Sequence, residues 1–405
     1  MARAVLRPGH RLRLLQGGAA LFPALVQAIE RARRTVYLET YILDCADAVL
    51  PVLLALERAA RRGVAVRLLA DGVGTPHWPR PWWERLTRAG VACAIYAPLG
   101  RVGLLIPSRW RRLHRKLCVV DGAVGFCGGI NLIDDRNDVA LGRLAWPRLD
   151  FALQVSGPLV AEMQEAMERV WWRVQAVQRV RQRALRAAWQ AWRSGWPGDD
   201  RATWGTPGLR RRVPHARAAL LLRDNVRHRH DIERAYLKAL ATARHEVLLA
   251  HAYFIPGRRL RQALVRAAQR GVRVRVLLQG RYEHFLQYHA ARPVHHYLLQ
   301  RGVELYEYTP SALHAKVAVV DGRWATVGSS NLDPLSLLLA REANIATTDR
   351  ALALQLQRHL RHLLHTAARA LSVQALRQRP WHQRALDWLA FGTMRAVLWL
   401  SGHRY

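Results

Sequence analysis

The chain has 405 residues, of which 51% are hydrophobic, and it carries a formal charge of +34 at pH 7. The length and hydrophobic content exclude a disordered chain and predict two or three domains, or two halves of a large one. The charge favours a polyanionic partner, either nucleic acid or an anionic membrane surface, although a compositional bias towards arginine would also raise it.

The chain has few cysteines, and none of them forms a Cys-x-x-Cys pair. They are Cys45, Cys93, Cys118 and Cys127. We therefore expect free thiols in a reducing compartment and no disulfide framework. The N-terminal segment lacks the apolar core of a signal peptide, and no long window is free of polar residues, so we expect no signal peptide and no transmembrane helix.

The first half of the chain alternates helical and strand-like segments. Residues 24–34 have helical spacing and lead into VYLETYIL, a predicted strand. Residues 50–72 add a helix, a turn at Gly63 and an apolar strand, and a further strand follows Gly90. Alternation of this kind is typical of an α/β fold with parallel strands.

The second half repeats this order. Residues 231–256 form a predicted helix and strand, and residues 259–280 a helix, a turn at Gly271 and a strand. A strand again follows Gly302. The sequence therefore predicts two α/β/α halves with mostly parallel central sheets, related by a pseudo-twofold axis. We place the halves at residues 1–195 and 216–370.

The remaining segments are a linker, at residues 196–215, and two amphipathic helices. The helix at residues 158–193 either packs on the domain with a solvated basic face or presents that face, with Trp189, Trp192 and Trp196, to lipid headgroups. The tail, residues 371–405, contains a helix from Trp381 onwards. Its polar residues form one narrow stripe with tryptophans at the border, namely Arg384, Asp387 and Arg395 beside Trp381, Trp388 and Trp399. This pattern predicts a helix lying in the bilayer interface; a core helix docked on the domain is the alternative.

One spaced triplet, His-x-Lys-x4-Asp, occurs twice in matched places. The copies are His114, Lys116 and Asp121 in HRKLCVVD, and His314, Lys316 and Asp321 in HAKVAVVD. The chain has only three lysines, and about 0.1 His-x-Lys pairs are expected by chance. Because side chains two residues apart on a strand share a face, each lysine is predicted to flank the same ligand as its histidine.

This doubled motif suits phosphodiester chemistry. Two facing imidazoles supply a nucleophile and a general acid, and two ammonium groups stabilise charge on the phosphate oxygens. Asn131 and Asn331 each lie seventeen positions past a motif histidine and are predicted phosphate-binding residues. Each imidazole also needs an acceptor for its other nitrogen, and we expect a crossed arrangement in which Glu342 orients His114 and Asp150 orients His314. No metal is required. The other histidine clusters, which include His295, lack acidic or cysteine partners at ligand spacing and are interpreted as surface residues.

These motifs resemble those of the phospholipase D superfamily. LETYILD, RGVAVRLLADGVG, AYFIPG, SALHAKVAVVDGRWATVGSSNLDP and SLLLAREAN are similar to segments of bacterial cardiolipin synthases, particularly the B type, and the resemblance spans about residues 36–349. The Arg-rich segment at residues 173–212 does not clearly match the family. We also expect no two-helix N-terminal anchor of the A type.

The resemblance implies transfer of a phosphatidyl group between phosphatidylglycerol molecules, giving cardiolipin and glycerol without a cofactor. His114 would form a phosphohistidine, and His314 would protonate the departing glycerol. Asp121 and Asp321 would belong to the catalytic motif, although their position at Asp-Gly turns favours a structural role. We expect a peripheral enzyme of the bacterial inner membrane that binds phosphatidylglycerol and cardiolipin through its C-terminal helix, and no nucleic acid. A superfamily phosphodiesterase, either a nuclease or a phospholipid hydrolase, is the alternative.

Overall fold

The computed structural model describes residues 5–98, 111–139, 141–181, 216–224, 228–281, 285–333 and 340–400, with the backbone alone at 179–181 and 397–400. The elements of the first half, in chain order, are β1 Arg7–Gln16, α1 Gly17–Glu30, β2 Thr35–Thr40, a 3₁₀ turn Asp47–Val49, α2 Leu50–Arg61, β3 Ala65–Asp71, α3 Arg80–Arg88, β4 Ala92–Tyr96, β5 Arg112–Leu113, β6 Lys116–Val120, β7 Val124–Gly128, β8 Asn137–Asp138, β9 Gly142–Arg143, β10 Phe151–Ser156 and α4 Leu159–Arg181.

The second half and the tail contain a matching set. In chain order these elements are β11 Ala216–Arg223, α5 Asp231–Thr242, β12 Glu246–His251, α6 Arg258–Gln269, β13 Arg273–Gln279, α7 Phe285–Leu299, β14 Glu304–Tyr308, β15 Lys316–Val320, β16 Trp324–Gly328, β17 Ala340–Thr347, α8 Arg350–Thr366, β18 Ala368–Ala370, α9 Val373–Arg377 and α10 Trp381–Leu400.

The strands of the two halves follow the same order outwards from a shared centre. From the centre, the first half runs β1-β10-β7-β6-β2-β3-β4, and the second runs β11-β17-β16-β15-β12-β13-β14, with β18 at its edge. The central strands β1 and β11 pair antiparallel, so one sheet continues through both halves. The α/β class and the two matched halves are thus confirmed.

The sheet is mixed, which corrects the expectation of mostly parallel strands. Among the described strands, the parallel pairs are those of the outer strands β2-β3-β4 and β12-β13-β14, together with the short β5 against β17. The inner strands, β1-β10-β7-β6 in the first half and β11-β17-β16-β15 in the second, are antiparallel to their neighbours in the sheet. The physical reason is the short Asp-Gly connection within each motif hairpin, because a tight turn can join only antiparallel strands.

Among the described residues the core has four hydrophobic clusters, of which the three largest organise the two halves. One lies under α1 and α2 in the first half, and one under α5, α6 and α7 in the second half. The third joins the two halves, with Val119 and Leu153 from the first half in one cluster with Val317 and Ile345 from the second. Burial of this apolar surface between the halves fixes their relative position, and with it the geometry of any site between them.

Helix α4 packs on the domain along its described length. Met163, Met167 and Val170 are buried, the two methionines within the cluster that joins the halves. The packed alternative therefore holds for residues 159–176. The three tryptophans at 189, 192 and 196, and the predicted linker at residues 196–215, lie outside the described residues.

The C-terminal helix α10 docks on α7 with Asp387 of its polar stripe buried, while Arg384 and Arg395 of the same stripe are exposed. Asp387 is only 5% exposed; its carboxylate accepts hydrogen bonds from His289 Nδ1 at 2.6 Å and Arg379 Nη1 at 2.8 Å. The sequence pattern could not predict these partners because they come from outside the helix. On the outer face, Trp381 is 79% and Trp388 64% exposed. Among the described residues, no helix combines the length and hydropathy needed to cross a membrane.

The motif aspartates anchor the turns at the far ends of the motif strands. Asp121 has a positive φ of 53°, and its carboxylate accepts 2.8 Å hydrogen bonds from the backbone N–H groups of Arg33, Arg34 and Thr35. Asp321 repeats this with three N–H groups at the start of β12. Burial alone would raise the pKa of Asp121, but these N–H donors outweigh it and hold the pKa below its ordinary value.

We predict that Asp121→Ala lowers the free energy of unfolding by roughly 2–4 kcal/mol, because it leaves three backbone N–H donors without an acceptor and places alanine at a positive φ. Turnover at a temperature where the variant is folded should be unchanged. Thermal unfolding and steady-state kinetics test this, with Asp47→Ala as the control: Asp47 has a similar φ of 47° but accepts one 3.4 Å bond. Lost turnover with unchanged stability would contradict the structural role.

Candidate active site

Each motif histidine is held in place by the opposite half of the chain. The backbone N–H of His114 donates to the carbonyl of Arg341 at 3.0 Å, next to the start of β17. The backbone N–H of His314 donates to the carbonyl of Leu149 at 2.9 Å, just before β10. The two contacts are equivalent under the pseudo-twofold axis, so both histidines lie at the junction between the halves.

The side chains of the two histidines make crossed contacts with buried carboxylates. His114 Nδ1 lies 2.8 Å from Glu342 Oε1, and His314 Nδ1 lies 2.6 Å from Asp150 Oδ2. Glu342 and Asp150 are buried, and each belongs to the half opposite its histidine. This is the crossed pairing that the sequence predicted. Because a carboxylate accepts, each Nδ1 carries the proton, and each Nε2 is left to act on a ligand.

The two motif lysines are buried beside these pairs. Lys116 Nζ donates to the carbonyl of His114 at 2.6 Å, and Lys316 Nζ donates to the carbonyl of His314. Burial lowers the pKa of Lys116 to about 7, with Glu342 opposing the shift and Lys316 adding to it. Two ammonium groups this close repel each other, and an anion between them would relieve the repulsion.

The electrostatics of the two histidine pairs favour neutral imidazoles. Burial lowers the pKa of His114, although Glu342 opposes it. Burial also lowers the pKa of His314, and the positive charges of Lys316 and His114 lower it further. The two imidazoles therefore share one electrostatic environment. Burial raises the pKa of Asp150 to about 7, opposed by Lys316. The His314–Asp150 pair therefore retains an extra proton below about pH 7 and loses it above.

The two motif asparagines are both buried, each 3% exposed. Asn131 Oδ1 accepts the backbone N–H of Ile42 at 3.2 Å, which turns its amide NH₂ away from that contact. Asn331 Oδ1 has no hydrogen-bond partner among the described residues. Their assignment to phosphate binding stays a prediction, and Asn131 is the one whose orientation is fixed.

The structure adds residues that sequence reasoning missed. The ring of Tyr41 lies edge-on to His114, with centroids 4.8 Å apart, and Lys116 Nζ is 5.2 Å from the same ring. Ser329 Oγ donates to Glu342 Oε2 at 2.5 Å. In the first half Gly129 takes the position of Ser329, where a Cβ would lie 2.3 Å from Asp150 Oδ1. Only the small size of residues 129 and 329 was visible in the sequence.

The arrangement of these groups suits in-line displacement at phosphorus. An imidazole with its proton fixed at Nδ1 offers a bare Nε2 as a nucleophile, and the His314–Asp150 pair, which holds an extra proton below about pH 7, offers a proton donor. The buried lysines supply positive charge in a low-dielectric site. Asp121 and Asp321 do not join this site. Each lies five residues along the motif strand from its lysine, about 17 Å away, which corrects their grouping with the catalytic residues.

A family model described as "Cardiolipin synthase, PLD-like domain" matches residues 25–171 and 236–364. The chain belongs to this family. It is 37% identical over 410 residues to cardiolipin synthase B of Salmonella typhi and 36% identical over 402 residues to that of Escherichia coli (strain K12), covering 98% of this chain and 92% of each relative. Phosphatidylserine synthase of Haemophilus influenzae Rd KW20 shares the fold, with a TM-score of 0.67 and 13% identity over 96% of this chain and 95% of that one.

Membership of the cardiolipin synthase family makes the chain a phosphatidyltransferase of the phospholipase D superfamily. The described geometry agrees with this chemistry: the motif histidines, which lie 200 positions apart in the sequence, each contact a buried carboxylate of the opposite half.

We predict that Asp150→Asn lowers the rate at which the phosphatidyl donor is cleaved by about 10²–10⁴-fold. The reason is that an asparagine amide cannot hold the proton that Asp150 shares with His314. In the unsubstituted protein, cleavage should fall as pH rises through about 7, where that pair deprotonates. The Asp150→Asn protein should lack this fall in the cleavage rate above about pH 7. Single-turnover rates across pH 5–9 test both points.

The control is Glu246→Gln, which alters a buried carboxylate paired with Arg275 and Arg361 at the start of β12. It should leave the pH profile in place. The same fall in the cleavage rate in the Asp150→Asn protein would show that another group titrates there.

Proposed function

We propose that the protein makes cardiolipin and glycerol from two molecules of phosphatidylglycerol through a phosphohistidine intermediate. The observation that carries this proposal is the crossed contact of each motif imidazole with a carboxylate of the other half. A site that fixes two Nε2 atoms and two ammonium groups has the parts for a two-step displacement at one phosphodiester.

In the first step, His114 Nε2 attacks the donor phosphorus and a P–N bond forms. The bond from phosphorus to the headgroup glycerol breaks, and the proton of the His314 pair passes to the departing alkoxide. In the second step, His314 removes the proton of a primary hydroxyl on the acceptor lipid. That oxygen attacks phosphorus, the P–N bond breaks, and His114 is restored. Lys116 and Lys316 stabilise the phosphate oxygens in both steps.

We also propose that the enzyme works as a peripheral protein on the anionic inner membrane of a bacterium. Support comes from the outer face of α10, where Trp381, Trp388 and Leu389 are exposed, and from the start of α7, where Phe285 and Leu286 are exposed. Helix α7 begins just after β13, at the same sheet edge as the motif histidines. Exposed apolar groups rimmed by arginine suit a surface of anionic lipid.

The central experiment is incubation of the purified protein with labelled phosphatidylglycerol vesicles. We predict labelled cardiolipin and free glycerol in equal amounts, because each transfer releases one glycerol. Mass spectrometry of the lipids and enzymatic assay of glycerol measure this. Phosphatidic acid as the sole product would contradict transfer and indicate a hydrolase. Cleavage of a nucleic acid with no lipid turnover would indicate a nuclease.

The roles of the two histidines are tested by trapping label on the protein. His114→Ala and His314→Ala should each abolish cardiolipin formation. Acid-labile labelled phosphohistidine should be absent from the His114→Ala protein and able to accumulate in the His314→Ala protein, which keeps the nucleophile. Label retained on the His114→Ala protein would reassign the nucleophile to the second half.

For membrane attachment, we predict that Trp388→Ser combined with Leu389→Ser weakens binding to phosphatidylglycerol vesicles by about tenfold or more, through the loss of apolar surface buried in the interface. Vesicle sedimentation measures this, and turnover of a soluble short-chain donor should be unchanged. The control is Leu354→Ser on α8, beside the Gly322 turn at the opposite sheet edge. Equal binding by all three proteins would contradict this attachment site.

A further inference from the structure

A small cavity lies beside the second motif, at the end of β12 and β13 and under α7. It has a volume of about 50 Å³, and its walls include Ala252, Phe254, Tyr288, Arg292 and His295. The backbone N–H of Ala252 donates at 3.1 Å to the carbonyl of Ala315, the residue between the motif histidine and lysine. The cavity therefore adjoins the motif loop of the second half.

At the equivalent position of the first half, a tyrosine stands in place of a small wall residue. The register of β2 against β6 and of β12 against β15 makes Tyr41 the counterpart of Ala252. Tyr41 packs its ring against His114, whereas Ala252 is small and lines the cavity. The duplicated scaffold thus differs beside its two motifs, with an aromatic ring against His114 and a cavity beside the second motif, in the half that receives the acceptor alcohol in the proposed mechanism.

The cavity is lined by polar atoms that lack partners. His295 is only 7% exposed, which corrects its interpretation as a surface residue, and Nε2 is 3.3 Å from the carbonyl of Phe254. Since Nε2 donates there, Nδ1 is a bare acceptor, and it has no partner among the described residues. Burial lowers the pKa of His295 to about 3, so the imidazole stays neutral. Gln287 Oε1, a second acceptor, and Arg292 Nε, a donor, are also unpartnered.

These groups match a small polyhydroxyl ligand better than an anion. Two acceptors can each take an O–H, and one N–H can donate to a hydroxyl oxygen. The guanidinium of Arg292 is already paired with Glu307 at 3.0 Å and stacked 4.2 Å from the Tyr288 ring, so it adds little free charge. At about 10–15 Å³ for each water, the cavity has room for about three to five hydroxyl-sized groups.

We propose that this cavity binds the glycerol headgroup of the acceptor lipid, with His295 Nδ1 and Gln287 Oε1 accepting its hydroxyl protons and Arg292 Nε donating. The proposal rests on the phosphatidyl transfer described above and assigns its acceptor subsite. Ligand hydroxyls would satisfy buried groups that otherwise cost free energy, so an alcohol lacking them binds less well. His295 is in this account a positioning residue for the acceptor and takes no part in donor cleavage.

The test uses free glycerol as a soluble acceptor and measures its exchange into unlabelled phosphatidylglycerol. For His295→Leu we predict that the glycerol concentration giving half-maximal exchange rises by about tenfold, the effect of losing one hydrogen bond to a buried group. The rate of phosphatidic acid release without glycerol, and the phosphohistidine level, should be unchanged. Gln287→Leu, on the more exposed wall of the cavity, should raise the same glycerol concentration. It replaces His295→Leu as the test if that variant does not fold.

His10→Leu is the matched control. His10 is also buried with unpartnered ring nitrogens, but it lies on β1, six residues or about 20 Å from the end of the strand that meets Asp150. An unchanged glycerol dependence in His295→Leu or Gln287→Leu would overturn the subsite while leaving the proposed transfer intact. A wild-type protein that releases only phosphatidic acid would instead contradict the transfer itself.

Discussion

The structure depends on the contact between each motif imidazole and a carboxylate of the opposite half. Glu342 and Asp150 are buried, and the side chains of their partners His114 and His314 are only 17% and 20% exposed. A buried ionisable group is costly unless it is paired. Neither half can satisfy its own histidine. The hydrophobic cluster that joins the halves, the paired strands β1 and β11 and the backbone bonds at Arg341 and Leu149 all serve to hold these crossed pairs.

A symmetric scaffold supports an asymmetric reaction through a few substitutions at equivalent positions. Glu342 is held by the Ser329 hydroxyl, whereas Asp150 lies against Gly129 and has a pKa raised by burial to about 7. Tyr41 packs against His114, and its counterpart Ala252 lines a cavity in the second half. In the proposed mechanism these differences suit one half to nucleophilic attack and the other to proton transfer and acceptor binding.

Much of the site could be predicted from the sequence, because a doubled motif with matched flanking strands leaves few ways to bring two histidines to one phosphorus. The crossed carboxylates and the Asp-Gly hairpins followed from spacing and strand periodicity. The role of Tyr41, the burial of Asp387 and the burial of His295 could not, since each depends on contacts between distant segments. The pairing of β1 with β11, which makes one sheet of two, has no signal in a single strand's composition.

The central claim is that two imidazoles from opposite halves act on one phosphorus from opposite sides. A crystal structure with vanadate bound as a mimic of pentacoordinate phosphorus tests it most directly. The account predicts vanadium bonded to His114 Nε2 at one axial position, with His314 Nε2 within hydrogen-bond distance of the opposite axial oxygen and both lysines on the equatorial oxygens. Vanadate held by one half alone, or with both imidazoles on the same side, would contradict it.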